Sequence, residues 1–252
     1  MALGDSYSAM ADHTRLADAG CMRSTRSYPY VLQSIIGAAR FDSAGCGDAM
    51  TTHMVQPQQT AFGVNPAQFD RLSADVDLVT VTIGANDMGF LAQAGVCDVG
   101  PALGDTRATC PADLSAVESE RWRTRAQAAA DGVRATIESI RTRAPKALIV
   151  YVGYARLFPP SGTCATLPGL PASLIEYAYI RHTMFLEKLT GAAEDAGATV
   201  VRPDRVAGYD MCRSADVRWV EPLIPAEVTS PIHPNARGAA AIAALVAAAL
   251  AG

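Results

Sequence analysis

The sequence predicts an α/β fold, a three-layer α/β/α sandwich around a central, mainly parallel sheet. Short runs that are apolar on both faces alternate with long amphipathic stretches, as strands do when helices cover both sides of a sheet. The 252 residues are 50% hydrophobic and 18% charged, enough to bury a large core. No internal repeat, low-complexity linker or charge block divides the chain, so residues 1–252 are expected to form one domain.

Taken in order, the first element is a strand at the start of MALGDSYSAM, an apolar opening that breaks into Gly4-Asp5-Ser6. LVTVTIG at 78–84 and ALIVYVG at 147–153 are β-branched and apolar on both faces, the character of central parallel strands. Between them, residues 114–143 carry Val117, Trp122, Val133, Ile137 and Ile140 at spacings that suit one buried helical stripe, which Pro145 ends. Residues 173–196 form the next expected helix, stopped near Gly197, and TVVRP at 199–203 the next strand. The alanine-rich GAAAIAALVAAALAG at the C-terminus reads as a packed terminal helix, since a membrane span needs about 20 residues. In such sheets, reactive groups gather at the carboxyl ends of the strands.

The formal net charge of -4 and the isoelectric point near 5.5 offer no basic field for a polyphosphate, so nucleic acid is not an expected partner. Six cysteines, Cys21, Cys46, Cys97, Cys110, Cys164 and Cys212, include no Cys-x-x-Cys pair, and no histidine stands near them at zinc spacing. Disulfides are expected in place of a metal, with no cofactor, and the even count fits an oxidising compartment outside the cytoplasm. Spacing alone leaves the connectivity open; sequential pairing, 21 with 46, 97 with 110 and 164 with 212, is the preferred expectation. Met1 abuts the first strand, so an export signal, with part of that strand, is expected to have been removed. The expected state is a monomer without an integral membrane segment.

Chemistry is expected where the apolar runs end. A strand that ends in glycine can expose a nucleophilic serine, here Ser6, although Gly-Asp-Ser also builds ordinary turns. Its hydroxyl needs a base that titrates near neutrality, and the chain holds four histidines. His182 lies inside an apparent helix and suits a core or surface role, while His13 and His53 lie in polar loops. His233, in SPIHPNARG, is flanked by prolines just before the last helix and is the strongest candidate base. Asn86, in Gly84-Ala85-Asn86-Asp87 after the second run, can offer a side-chain N–H to an oxyanion beside the backbone N–H of Ser6. The third run ends in a Pro- and Gly-rich loop at 154–170.

Together, Gly4-Asp5-Ser6-Tyr7-Ser8, Gly84-Ala85-Asn86-Asp87 and His233-Pro234-Asn235 resemble the first, third and fifth sequence blocks of the SGNH (GDSL-type) hydrolases, in order and nearly end to end. The six cysteines and the Arg- and Ala-rich composition look most like the secreted actinobacterial lipase and esterase branch, whose members carry three disulfides. The resemblance implies a flavodoxin-like SGNH fold and hydrolysis of a carboxylic ester through an acyl-enzyme on Ser6. It further implies His233 as general base and then acid, with an oxyanion hole from the Ser6 N–H, Asn86 and a backbone N–H of block two. Block two falls in AGCGDAMTTHM, where Gly47-Asp48-Ala49 replaces the commoner Ser-Gly-Ala after the cysteine, so the donor is Asp48 or Gly47. A carboxylate beside a developing oxyanion raises the barrier, so the Asp48 side chain is expected to point away or to be paired. A Cys21–Cys46 bridge would pin this loop.

Block five of the family usually reads Asp-x-x-His, but Ser230 stands three residues before His233. The resemblance then implies a Ser-His dyad in which the Ser230 backbone carbonyl accepts the imidazole N–H, with Asp5 shaping the turn. Met88, Phe90, Leu91, Leu157, Phe158 and Leu167 are candidates to line an acyl channel for a lipid-type or simple acyl ester. The alternatives are a carbohydrate O-deacetylase, since function lives in the pocket of such folds, and an inactive envelope-associated binding module.

Overall fold

The computed structural model describes residues 1–89 and 120–252. In chain order the elements are β1 (Ala2–Gly4), α1 (Ser6–Ala9), β2 (Leu16–Asp18), β3 (Arg23–Ser24), α2 (Tyr28–Ile35), β4 (Gln58–Thr60), β5 (Gly63–Asn65), β6 (Leu78–Thr82), α3 (Ala85–Met88), α4 (Glu120–Arg143), β7 (Leu148–Val152), α5 (Ala172–Asp195), β8 (Thr199–Val201) and α6 (Ala236–Ala251). Cys97, Cys110, Phe90, Leu91 and the expected helical residues before 120 lie outside the described residues.

Strands β1, β6, β7 and β8 pair in that order, all parallel, with Leu3 beside Val81, Thr80 beside Val150 and Tyr151 beside Val200. A parallel bridge from Ala2 to Ser43 continues the sheet beyond β1. Alternate residues of β7 serve opposite layers. Ile149 and Tyr151 pack with Val133, Ile137 and Leu189 of α4 and α5, whereas Val150 and Val152 pack with Tyr28, Leu32, Ile242 and Val246 of α2 and α6. That two-sided burial, worth about 1.5–3 kcal/mol for each fully buried large aliphatic side chain, is why the strand runs carry no charged residue and, in β6, only the small threonines Thr80 and Thr82 among the apolar ones.

The central strands end slightly earlier than the apolar runs, β6 at Thr82 and β7 at Val152. The last strand also stops at Val201, since Pro203 opens a short 3-10 helix. The terminal helix begins two residues before Gly238, where the Asn235 side chain caps it by accepting the Gly238 N–H at 2.9 Å. A Cβ on Gly238 would sit 2.2 Å from the Trp219 carbonyl, so only glycine lets α6 approach that segment. The antiparallel hairpins β2–β3 and β4–β5 were not expected from the sequence; they lie outside the parallel sheet. Two of the three expected disulfides, Cys21–Cys46 and Cys164–Cys212, lie among the described residues.

Candidate active site

The strand ends converge as the parallel topology requires. Gly4 closes β1 with φ 133°, and a Cβ there would lie 2.1 Å from the Thr82 carbonyl of the neighbouring strand. The Gln68 amide clamps this glycine, accepting its N–H and donating to its carbonyl at 2.8 Å each. Asp5 then caps α1, its Oδ1 accepting the Tyr7 N–H at 2.9 Å, and Ser6 becomes the first residue of that short helix.

His233 arrives from the opposite side, on the turn before α6. Backbone pairing holds that turn: the Glu221 N–H donates to the His233 carbonyl at 3.0 Å and the Ile232 N–H to the Glu221 carbonyl at 2.9 Å. Ile232 has φ 56°, a left-handed conformation that costs a β-branched residue strain and is maintained by these partners. The Tyr7 hydroxyl adds a further bond to the Ile232 carbonyl at 2.7 Å.

The result is a Ser6 Oγ to His233 Nε2 distance of 2.7 Å, with His233 Nδ1 2.7 Å from the Pro231 carbonyl. A carbonyl only accepts, so Nδ1 carries the proton and Nε2 is left to accept the Ser6 hydroxyl proton. Burial lowers the His233 pKa below its ordinary 6.5, opposed by the Pro231 bond and by the Asp48 charge, and so favours the neutral ring.

The orienting carbonyl is thus that of Pro231, not Ser230. The Ser230 carbonyl instead accepts the His233 backbone N–H at 3.3 Å, closing the turn. The positive φ of Ile232 bends the chain so that the next carbonyl along faces the ring. Ser230 Oγ lies 3.3 Å from both Met10 Sδ and His13 Nε2, away from the imidazole of His233.

Asn86, on α3 just beyond Gly84, gives one amide N–H to the Ala49 carbonyl at 2.9 Å, and the neighbouring Asp87 accepts the Thr51 N–H and hydroxyl. These bonds tie the third block to the second. The Gly47 N–H is engaged by the Cys21 carbonyl at 2.9 Å, whereas neither the Ser6 nor the Asp48 N–H donates to another described residue. Asp48 is exposed, has φ 59°, and carries no ion pair among the described residues, and its charge raises the His233 pKa.

Ser6, Asp48, Asn86 and His233 line a cavity of about 250 Å³ with Tyr7, Tyr154, Leu157, Phe185, Leu186 and Ile232. Of the described residues expected to line an acyl channel, only Leu157 does; Met88, Phe158 and Leu167 are core. Phe185 and Leu186 come from α5, a helix whose apolar stripe reads as ordinary packing in sequence. His182, on the same helix, also lines the cavity; it is buried, and its Nε2 lies 3.1 Å from the Ala155 carbonyl. Burial pushes its pKa down to about 4. His13 and His53 do not line the cavity. Among the described residues no group of three or more His, Cys, Asp or Glu side chains is arranged to hold a metal ion, and no helix is long and apolar enough to cross a membrane.

The model of the GDSL-like lipase/acylhydrolase family matches residues 2–241. The chain belongs to that family. It is an ester hydrolase of the SGNH type. Lipase 2 of Streptomyces coelicolor is 32% identical over 250 residues, an alignment covering 94% of this chain and 81% of that protein. A lipase of Streptomyces rimosus is 27% identical over 252 residues, with the same coverage. Among solved structures, the extracellular lipase of S. rimosus superposes with a TM-score of 0.79 at 24% identity, covering 98% of this chain and 97% of that one. Phospholipase A1 of Streptomyces albidoflavus gives a TM-score of 0.75 at 21% identity, again covering 98% and 97%. These two likenesses establish the fold.

Proposed function

We propose that the protein hydrolyses a lipid-type or simple acyl ester through an acyl-enzyme on Ser6, with His233 as base. The observation that carries this reading is the pair of 2.7 Å contacts at His233, one to Ser6 Oγ and one to the Pro231 carbonyl. Ser6 Oγ attacks the ester carbonyl carbon while its proton passes to Nε2. The oxyanion so formed is met by the Ser6 N–H, the Asp48 N–H and the second amide N–H of Asn86, each such donor commonly worth about 3 kcal/mol of barrier. The intermediate collapses as imidazolium returns the proton to the leaving alcohol. Water then enters by the same route, giving its proton to His233, and the acid leaves as Ser6 recovers its hydrogen.

A neutral carbonyl behind the imidazole fixes its tautomer but stabilises the imidazolium less than a carboxylate does. The acyl chain is assigned to the apolar wall of Leu157, Phe185, Leu186 and Ile232. The names of the Streptomyces relatives, lipase and phospholipase A1, agree with such a substrate. Two disulfides support function outside the cytoplasm, where such bonds persist.

The test is hydrolysis of a p-nitrophenyl ester series from acetyl to palmitoyl, with Ser6→Ala alongside. Turnover that peaks at one chain length and vanishes in Ser6→Ala is expected. Silence across the whole series, with Ser6 still modified by a phosphonate, would move the substrate to another ester class.

A further inference from the structure

Ser6, Asn86 and His233 sit on three segments far apart in sequence, and in each case an adjacent residue is bonded to a tyrosine hydroxyl or to its partner. Asp5, before Ser6, accepts the Tyr154 hydroxyl at 2.5 Å through Oδ2. Ala85, before Asn86, donates its backbone N–H to the same Tyr154 oxygen at 2.9 Å. Ile232, before His233, accepts the hydroxyl of Tyr7, the residue after Ser6. The Tyr7 and Tyr154 rings meet edge to face, with centroids 4.9 Å apart, and the Tyr7 ring lies 5.2 Å from the His233 ring.

We propose that Tyr154 is a positioning residue for the ester hydrolysis argued above: its hydroxyl, bonded at once to the Asp5 carboxylate and the Ala85 N–H, sets the separation between the Ser6 hydroxyl and the Asn86 donor.

The geometry sets Tyr154 apart from the other buried tyrosines. Tyr28 bonds Thr82 Oγ1 and Tyr151 bonds the Ile83 carbonyl, contacts that brace the sheet. Tyr154 spends its one proton on the turn bearing the nucleophile and accepts from the helix bearing the oxyanion donor. Its ring also lines the cavity. Asp5 answers with both oxygens, Oδ2 to Tyr154 and Oδ1 to the Tyr7 N–H, so the elbow cannot shift without breaking one of them. Burial raises the Asp5 pKa to about 7, and the Tyr154 hydroxyl opposes that rise, as a donor to the charged form does. Displacements of about 1 Å at a reacting centre can cost on the order of 100-fold in rate.

The experiment compares kcat and KM on a p-nitrophenyl ester for wild type, Tyr154→Phe, Asn86→Ala and the double variant, with Tyr28→Phe as a buried-hydroxyl control and Ser6→Ala as a blank. Tyr154→Phe is expected to lower kcat by about 10- to 100-fold with KM within about 2-fold. In the Asn86→Ala background the same substitution is expected to cost less than about 3-fold, because the donor that Tyr154 positions is already gone. Tyr28→Phe should keep its kcat. Full kcat in Tyr154→Phe, a loss confined to KM, or an equal loss with and without Asn86 would each overturn the proposal. Should Tyr154→Phe fail to fold, Asp5→Asn replaces it, keeping the size of the acceptor while removing its charge, and the same coupling to Asn86 is required. Retained turnover in Ser6→Ala would instead defeat the assignment of Ser6 as nucleophile on which the proposal rests.

Discussion

Replacing Glu221 by Gln tests what holds the histidine in place. The Glu221 side chain is 0% exposed and that of Arg218 6% exposed, and the pair meets at 2.8 and 3.1 Å. The same carboxylate accepts the Asn235 amide at 2.9 Å and the Ala226 N–H at 2.8 Å, so four donors converge on one charge. Glu221→Gln keeps the shape but leaves a buried guanidinium without its counter-charge, which costs about 3–5 kcal/mol. For a chain of this size each kcal/mol moves the melting temperature by roughly 2–4 °C, so a fall of about 6–20 °C is expected by circular dichroism. Glu221 also pairs through its backbone with Ile232 and His233, so kcat should fall with stability. The pH dependence has a definite sign. Its bonds hold the Glu221 pKa at about 2 against an ordinary 4.5, so its stabilisation is present above pH 4.5 and is lost as the pH falls toward 2. Wild type should show that acid loss and Glu221→Gln should not. The paired substitution Arg218→Met with Glu221→Met removes both charges and should recover much of the deficit. A single-variant loss below about 1 kcal/mol would refute the reasoning, because a buried partner cannot be removed that cheaply.

Three further outcomes are expected. The lowered His233 pKa predicts that kcat/KM rises with pH to a plateau, with its midpoint below 6.5; a midpoint above 7 in a stopped-flow ester assay would contradict a neutral buried base. Asp5 has a folded pKa of about 7, above its ordinary 3.8, so its contribution to stability is full below pH 3.8 and is lost as the pH rises through 7. Asp5→Asn should remove that decline from urea denaturation curves. Replacing Cys21 and Cys46 by Ser opens a link spanning 25 residues and should cost about 3.5 kcal/mol by loop entropy; it should also weaken catalysis, because Gly47 is held by the Cys21 carbonyl next to Asp48. Unchanged stability in that double variant would argue against the bridge.

Much of the layout was legible because parallel strands buried on both faces exclude charged residues and are dominated by β-branched and apolar ones. LVTVTIG and ALIVYVG announce β6 and β7, and the polar residues after them fall at one end of the sheet. Ser6, Asn86 and His233 were legible as three short blocks in order. The orienting carbonyl was not, since it depends on a positive φ at Ile232, and nothing in Ser-Pro-Ile-His signals a left-handed isoleucine. Arg218 and Glu221 stand three apart, a spacing that carries no signal of burial; the fold buries both and brings the Asn235 amide onto the Glu221 carboxylate. Tyr154 and Asp5 are separated by 149 positions, and only the fold brings hydroxyl and carboxylate together. The hairpins β2–β3 and β4–β5 have strands of two or three residues with little apolar alternation, too short to register in a sequence pattern.

The central claim is that Ser6 is the nucleophile and His233 its base. The most direct measurement is the rate and site of modification by a serine-reactive fluorophosphonate, followed by intact mass and peptide mapping. A single adduct on the peptide bearing Ser6, formed at least about 100-fold more slowly in His233→Ala and absent in Ser6→Ala, is the predicted result. An adduct on another serine, or an unchanged rate in His233→Ala, would contradict the account.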